Sequence, residues 1–303
     1  MGKKGKKARA GKPKKLTPKD VGKRFDALVK KLEEELKDVD LFAPLPPTED
    51  CAICLVPLSH VRYESCYMAC CGNSVCWACH LENEESIDKQ NEEKSADKKI
   101  VLTCPFCREP EPGSGPKYVR QLQARCLQND HNAFASMGWV YRNGGYGVVK
   151  DDLKALDCYI RAVELGSPTA CGSIADGYRE GNGVAVDMER AAFFAKVGAL
   201  RGDVVARHNI GVSEYFDLGN HEIGIRHWKI AAEAGYQKSL NALRSIYNAD
   251  GKKPGKEFIS NESLDFAYRA CHGVQMEVKT EERKKHLPMV KKLAGQINKG
   301  SNK

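Results

Sequence analysis

The sequence of 303 residues contains no run of eighteen apolar residues, so no membrane-spanning helix is expected. No apolar segment follows its basic start, so a cleaved secretory leader is not expected either. Gly2 follows Met1, but Lys6 stands where N-myristoylation requires Ser or Thr. The body of the chain also lacks a charge excess. The net charge of +8 arises in residues 1–15, which hold eight Lys or Arg and no acid, leaving 40 basic against 40 acidic residues elsewhere. Net charge therefore gives no reason to expect nucleic-acid binding, except weakly through this basic tail. With these absences, the cytoplasm, the nucleus or both is the expected location. Thiols there are reduced, so clustered cysteines point to metal ligation rather than disulfides.

Hydrophobic residues make up 42% of the chain and charged residues 29%, enough apolar material for a buried core. The length suits about two domains. Residues 1–15 show no apolar periodicity and read as a disordered tail. Residues 16–40 read as an amphipathic helix. Thr17 is its cap, Pro18 suits the first turn, and Asp20 favours the positive helix end. Val21, Phe25, Leu28, Leu32 and Leu36 form one apolar stripe. The stripe is too short for a coiled coil, which favours docking on the protein's own body. Pro44, Pro46 and Pro47 end this helix and stiffen a linker over residues 41–50.

Residues 51–108 form a cysteine-rich module holding nine of the thirteen cysteines. Four pairs stand out, namely Cys51/Cys54, Cys70/Cys71, Cys76/Cys79 and Cys104/Cys107, three of them with CxxC spacing. A CxxC turn puts two thiolates on one side of a tight loop, at the separation that tetrahedral zinc requires. Eight thiolates suffice for two closed sites. Neither leaves a position for water, so the expected cofactor is two structural zinc ions rather than a hydrolytic one. Glu109 to Pro116 reads as a second linker.

The strings CAIC, CCGNSVCWAC and CPFCR resemble the RING family, in its all-cysteine variant. The resemblance implies that the first and third pairs share one zinc and the second and fourth share the other. Cys51, Cys54, Cys76 and Cys79 would then hold one ion, and Cys70, Cys71, Cys104 and Cys107 the second. Most RINGs place a histidine ligand where this chain has Asn73, and Cys66 and His80 remain alternatives to Cys70 as eighth ligand. The resemblance further implies contacts of Ile53 and Pro105 with a ubiquitin-conjugating E2 enzyme. It also gives Arg108 the role of the family's linchpin arginine, whose planar fork can reach E2 and ubiquitin together without any covalent intermediate. The loop between Cys79 and Cys104 lacks the tryptophan that many active RINGs carry.

Residues 117–275 contain an internal repeat. The segment with Met137, Gly144, Gly147, Asp151, Ala155 and Gly166 matches one with Ala175, Gly181, Gly183, Asp187, Ala191 and Gly202, at a constant offset of 36 from Gly147 onward. A third copy has Gly211, Trp228, Ala231, Ala232 and Gly235 and is shortened at its turn, and a degenerate fourth includes Leu264 and Ala270. Such periodicity is the signature of a solenoid. The motif order resembles Sel1-like repeats, which are related to TPR repeats. Each copy would then be helix, turn and helix, with Asp151 and Asp187 capping second helices, and with Trp139, Tyr141, Tyr159 and Tyr178 in the core. Cys126, Cys158, Cys171 and Cys271 read as buried small residues. The array offers no nucleophile motif, phosphate loop or paired catalytic carboxylates. Residues 276–303 read as a basic helix and tail.

The expected fold class is a small zinc-stabilised α+β RING module plus an all-α solenoid of helical-hairpin repeats. The expected function is that of a RING-type E3 ubiquitin ligase, with E2 and ubiquitin on the module and a protein substrate on the solenoid. The alternative is a non-enzymatic zinc-containing scaffold.

Overall fold

The computed structural model describes residues 17–277, apart from 62–63, 93, 96–97 and 250–252. The basic tail and the C-terminal residues beyond 277 lie outside the described residues. The elements run α1 (Pro18–Glu35), β1 (Ser65–Tyr67), β2 (Ser74–Cys76), α2 (Trp77–Asn91), α3 (Gly115–Cys126), α4 (His131–Asn143), α5 (Asp152–Glu164), α6 (Pro168–Glu180), α7 (Met188–Leu200), α8 (Val204–Val212), α9 (His221–Glu233), α10 (Gln237–Tyr247) and α11 (Asn261–Glu277). No described helix is long and apolar enough to cross a membrane.

From α4 onward, consecutive helices pair as hairpins and stack into a solenoid. The local chemistry repeats with the sequence. Asp151 accepts from the Lys154 amide at 3.0 Å and starts α5, and Asp187 does the same for Arg190 at 2.9 Å and starts α7. Gly144, Gly147, Gly181 and Gly183 all take positive φ. At Gly183 the constraint is also steric, since a Cβ there would lie 2.8 Å from Cβ of Asp152. Ala155, Ala162, Ala191 and Ala232 are buried where helices approach closely. In the third copy, Ser213–Asp217 continues α8 as a single π-helical turn. That turn takes the place of the longer loop of the first two copies.

Helix α1 docks on this array. Thr17 caps it through the Asp20 amide at 3.2 Å, and Val21, Phe25, Leu28 and Leu32 are buried against α5, α6 and α7. The Phe25 ring lies 5.1 Å from Tyr178 and 5.2 Å from Phe194. Arg24 pairs with Asp157 and Glu164, and Arg201 reaches Glu35 at 3.5 Å. Burying one aromatic of this kind contributes about 1.5–3 kcal/mol relative to exposure. The helix ends at Glu35, well before the prolines expected to stop it. Beyond that point the chain is held differently. Arg207 donates to the Leu41 carbonyl at 2.8 Å, and Arg226 stacks on Phe42 at 3.7 Å.

Three further expectations are corrected. Trp139 is 52% exposed rather than a core aromatic, whereas Tyr159 and Tyr178 are buried. Cys126 and Cys158 are half-buried, whereas Cys171 and Cys271 are fully buried. The second linker gives way to helix at Gly115.

Candidate metal centre

Four short elements bring the cysteine pairs together. β1 and β2 form an antiparallel hairpin with Ser65 opposite Cys76 and Tyr67 opposite Ser74. Its turn carries Cys70 and Cys71, β2 ends on Cys76, and the first turn of α2 carries Cys79. Cys76 caps α2 by accepting from the Cys79 amide at 3.5 Å.

The other two pairs lie in two knuckles of one design. In the first, the Leu55 amide donates to the Cys51 carbonyl at 2.9 Å and the Cys51 amide to Val56 at 2.9 Å. In the second, Arg108 donates to Cys104 at 3.0 Å and Cys104 to Glu109 at 2.8 Å. Isolated bridges Asp50–Pro57 and Thr103–Pro110 close both. Leu55 and Arg108, each just after the second cysteine, adopt left-handed φ of 56° and 62°. That conformation costs a residue with a Cβ roughly 1–2 kcal/mol.

The structure gathers Cys51, Cys54, Cys76 and Cys79 into one group and Cys70, Cys71, Cys104 and Cys107 into another, with the Sγ atoms of each group within 4.8 Å of one another. In the second group Cys71 and Cys104 are 3.9 Å apart, and Cys107 and Cys70 are 3.5 Å apart. Tetrahedral zinc at about 2.3 Å from each sulfur sets neighbouring sulfurs about 3.8 Å apart. Donor type, number and spacing therefore fit two tetrahedral metal ions. The thiols of the two groups shift unequally: burial raises that of Cys107, but the Glu109 amide and the neighbouring thiols lower it overall. Burial raises the thiols of Cys54, Cys70 and Cys104, and Cys79 is raised first by its hydrogen bond to Cys76 and then by burial. Thiolates packed this tightly need a cation to offset their mutual repulsion.

Of the three candidates for the eighth donor, the structure brings Cys70 to the second group. Cys66 lies in β1, its thiol pushed up to about 12 by burial and next by Glu111 and Glu84. His80 is 6% exposed, with Nε2 3.3 Å from Glu84 and its ring edge-on to Trp77. Neither belongs to a thiol group.

The remaining candidates lie on the knuckles. Ile53, Leu55 and Phe106 are 41%, 75% and 47% exposed, whereas Pro105 is buried. Arg108 is exposed, and its guanidinium lies 3.3 Å from Asn83 Oδ1, while Asn83 donates to the Thr103 carbonyl at 2.8 Å. Leu55 and Phe106 are not singled out by sequence reasoning, although the matching sequence neighbourhoods of the two CxxC pairs carry the signal.

The cysteine module is locked to the array. Tyr67 donates to Asp130 Oδ2 at 2.8 Å, and Arg125 grips the same oxygen through Nε and Nη2 at 3.0 and 2.9 Å. Arg125 also lies over Gly72, whose added Cβ would fall 1.9 Å from Nη2. Ala69 joins Val119, Leu122, Ala133, Met137 and Val140 in one apolar cluster across the junction.

No family model matches the chain, and no curated protein sequence matches it. Among solved structures it is similar to the Sel1 repeat protein from Oxalobacter formigenes, with 30% identity, 51% of this chain and 64% of that one covered, and a TM-score of 0.42. It is also similar to c5321, a protective antigen of uropathogenic Escherichia coli strains displaying an SLR fold, with 24% identity, 51% and 33% coverage, and a TM-score of 0.41. The immunity protein Pa5087 from Pseudomonas aeruginosa is 15% identical, with 65% and 81% coverage and a TM-score of 0.32. The chain spans less than two thirds of the length of the first two.

Proposed function

We propose that residues 51–108 are a RING-type module recruiting a ubiquitin-loaded E2, and that the array, read as Sel1-like repeats, holds a protein substrate. The observation that carries this reading is the exposed apolar surface of the two knuckles, formed by Ile53, Leu55 and Phe106, with the exposed Arg108 ending the second knuckle. Exposed apolar side chains on both knuckles, with a cation ending the second, suit a protein partner better than bulk water. Pro105 is buried and so would not touch the E2.

In this reading a neutral substrate lysine amine attacks the thioester carbonyl carbon, a C–N bond forms, the C–S bond breaks, and the amine's proton leaves with the E2 sulfur as the free thiol. This protein forms no covalent bond. It contributes orientation, which can replace much of the entropic barrier. Arg108 would leave Asn83 and donate to E2 and ubiquitin together. Zinc, when bound by the two thiol groups, supplies folding free energy and fixes both knuckles. Such a partnership belongs in the cytoplasm, the nucleus or both.

A second reading is a non-enzymatic scaffold. It is favoured by the existing Arg108–Asn83 contact and by the absence of a tryptophan between Cys79 and Cys104. A ubiquitin-discharge assay across a broad E2 panel decides. Discharge above the E2-only rate supports the ligase, and none in the panel leaves the scaffold.

A further inference from the structure

The two thiol groups match in number and spacing but not in burial. Cys51, Cys76 and Cys79 are buried and Cys54 is half-buried. In the second group only Cys104 is buried, Cys70 and Cys71 are half-buried, and Cys107 is exposed. The difference falls on matching positions, because Cys54 and Cys107 are each the second cysteine of a knuckle. Cys107 stands in an unbroken exposed run over residues 106–110. The backbone differs in the same sense. The Ala52 amide of the first knuckle donates to the Ser74 carbonyl at 3.2 Å and ties that knuckle to β2. Pro105 takes the matching position in the second knuckle and has no N–H to donate.

Exposure decides which sulfur a dissolved oxidant can reach, since the thiolate is the attacking group and attack needs contact. Cys107 also has a second thiol close by. Its Sγ lies 3.5 Å from that of Cys70, closer than the 3.9 Å between Cys71 and Cys104. A disulfide sets its sulfurs about 2 Å apart, so the pair has about 1.5 Å to close. An accessible thiolate beside a resolving cysteine is the arrangement that peroxide-sensitive cysteines share.

We infer that Cys107 is a site of oxidation by hydrogen peroxide, that Cys70 closes a disulfide with it, and that the second metal ion is released while the first stays bound. The Cys107 thiolate attacks one peroxide oxygen, the O–O bond breaks, and hydroxide leaves a sulfenic acid behind. The Cys70 thiolate then attacks that sulfur, the S–S bond forms, and the sulfenic oxygen leaves as a second hydroxide. Two electrons pass from the sulfur pair to the peroxide. Cys71 and Cys104 alone are too few to complete a tetrahedral site. The first group, with three of its four cysteines buried, keeps all its thiolates. A thiol reductant reverses the bond by exchange. None of this requires E2 or ubiquitin.

The test treats the zinc-loaded full chain with hydrogen peroxide beside a chromogenic zinc chelator, then maps the products by alkylation and mass spectrometry. One ion of the two should reach the chelator, and the other should stay until denaturant is added. The disulfide should join Cys70 and Cys107, and dithiothreitol with added zinc should restore both ions. Cys66→Ser removes the one thiol of the module outside both groups and should leave the rate of release unchanged. Retention of both ions, release of both together, a disulfide at other cysteines, or a Cys66→Ser chain that no longer responds would each overturn the inference. A chain that holds no zinc before peroxide would overturn it together with the metal centre, whereas a failed discharge assay leaves it standing.

Discussion

Tyr67 and Asp130 join the two halves of this molecule. The phenol of the hairpin residue donates to the carboxylate that also caps α4 through the Asn132 and Ala133 amides, at 3.0 and 3.2 Å. Burial opposes ionisation of Asp130, but Tyr67 and Arg125 hold it below the usual carboxylate range. Tyr67→Phe removes one hydrogen bond to a charged group, worth about 1.5–3 kcal/mol. Thermal unfolding should show a lower transition for the variant with unchanged metal content. Identical melting would mean that the halves are not energetically coupled here.

Metal content is the second prediction. Two groups of four thiols should give two zinc ions per chain. Cys70→Ser should lower the count, whereas Cys66→Ser and His80→Ala should keep both ions. A Cys70→Ser protein that retains two ions would return the eighth position to Cys66 or His80.

Arg108→Ala separates chemistry from docking. Arg108 is exposed and belongs to neither thiol group, so zinc content and fold should persist. Discharge of ubiquitin to free lysine should fall roughly ten- to a hundredfold, with little loss of E2 binding. Ile53→Ala and Phe106→Ala should instead weaken E2 binding itself. Discharge that ignores Arg108 would remove that residue from the proposed mechanism.

A fragment of residues 17–47 fused by a short linker to residues 115–277 should remain helical in chelator, because solenoid contacts are local and need no metal. Phe25→Ala in this fragment should cost about 3–5 kcal/mol, the usual penalty for emptying a buried aromatic site. Urea midpoints measure it. A change of a few tenths would show that α1 is not part of the array's core.

The pH dependence of the array should come in part from His227, and in part from His208, which burial and then Lys238 also pull down to about 4. The His227 imidazole is fully buried, neither ring nitrogen has a partner, and burial, then Arg207 and Arg226, pull it down to about 4 from an ordinary 6.5. A depressed imidazole stays neutral in the fold and takes up a proton on unfolding. Its contribution is therefore complete above pH 6.5 and is lost as pH falls toward 4. The loss is on the order of 2 kcal/mol across that window. His227→Leu should reduce the fall of the urea midpoint between pH 7 and 5 while His208 keeps part of it, and an unchanged slope would assign the acid sensitivity elsewhere.

Much of this architecture is legible in the chain because its causes are local. Aspartates ahead of helices, glycines at turns and the 36-residue offset each act within a few residues, and the array follows them. The apolar stripe of α1 likewise reads correctly, since period alone decides which side chains share a face. The misreadings concern what one part does to another. Trp139 looks like core by composition, yet Met137 and Val140 take that role and leave the indole exposed. Nothing near Tyr67 in sequence points to Asp130, because their pairing depends on how two separately patterned regions meet. Pro105, expected at the surface, is buried and Phe106 exposed for a similar reason. The knuckle's turn, rather than residue type, selects which of them faces outward.

The N-terminal segment has one more consequence. Because α1 lies in the core of α5 to α7, and Leu41 and Phe42 are held by Arg207 and Arg226, the chain reaches the array before the cysteine module begins and returns to it afterwards. The module is thus an insertion within a closed helical body rather than a head on a tether. A protease cut between Pro47 and Gly115 would sever the covalent route without releasing either piece. The protein would run as two bands under denaturation and as one particle in native buffer.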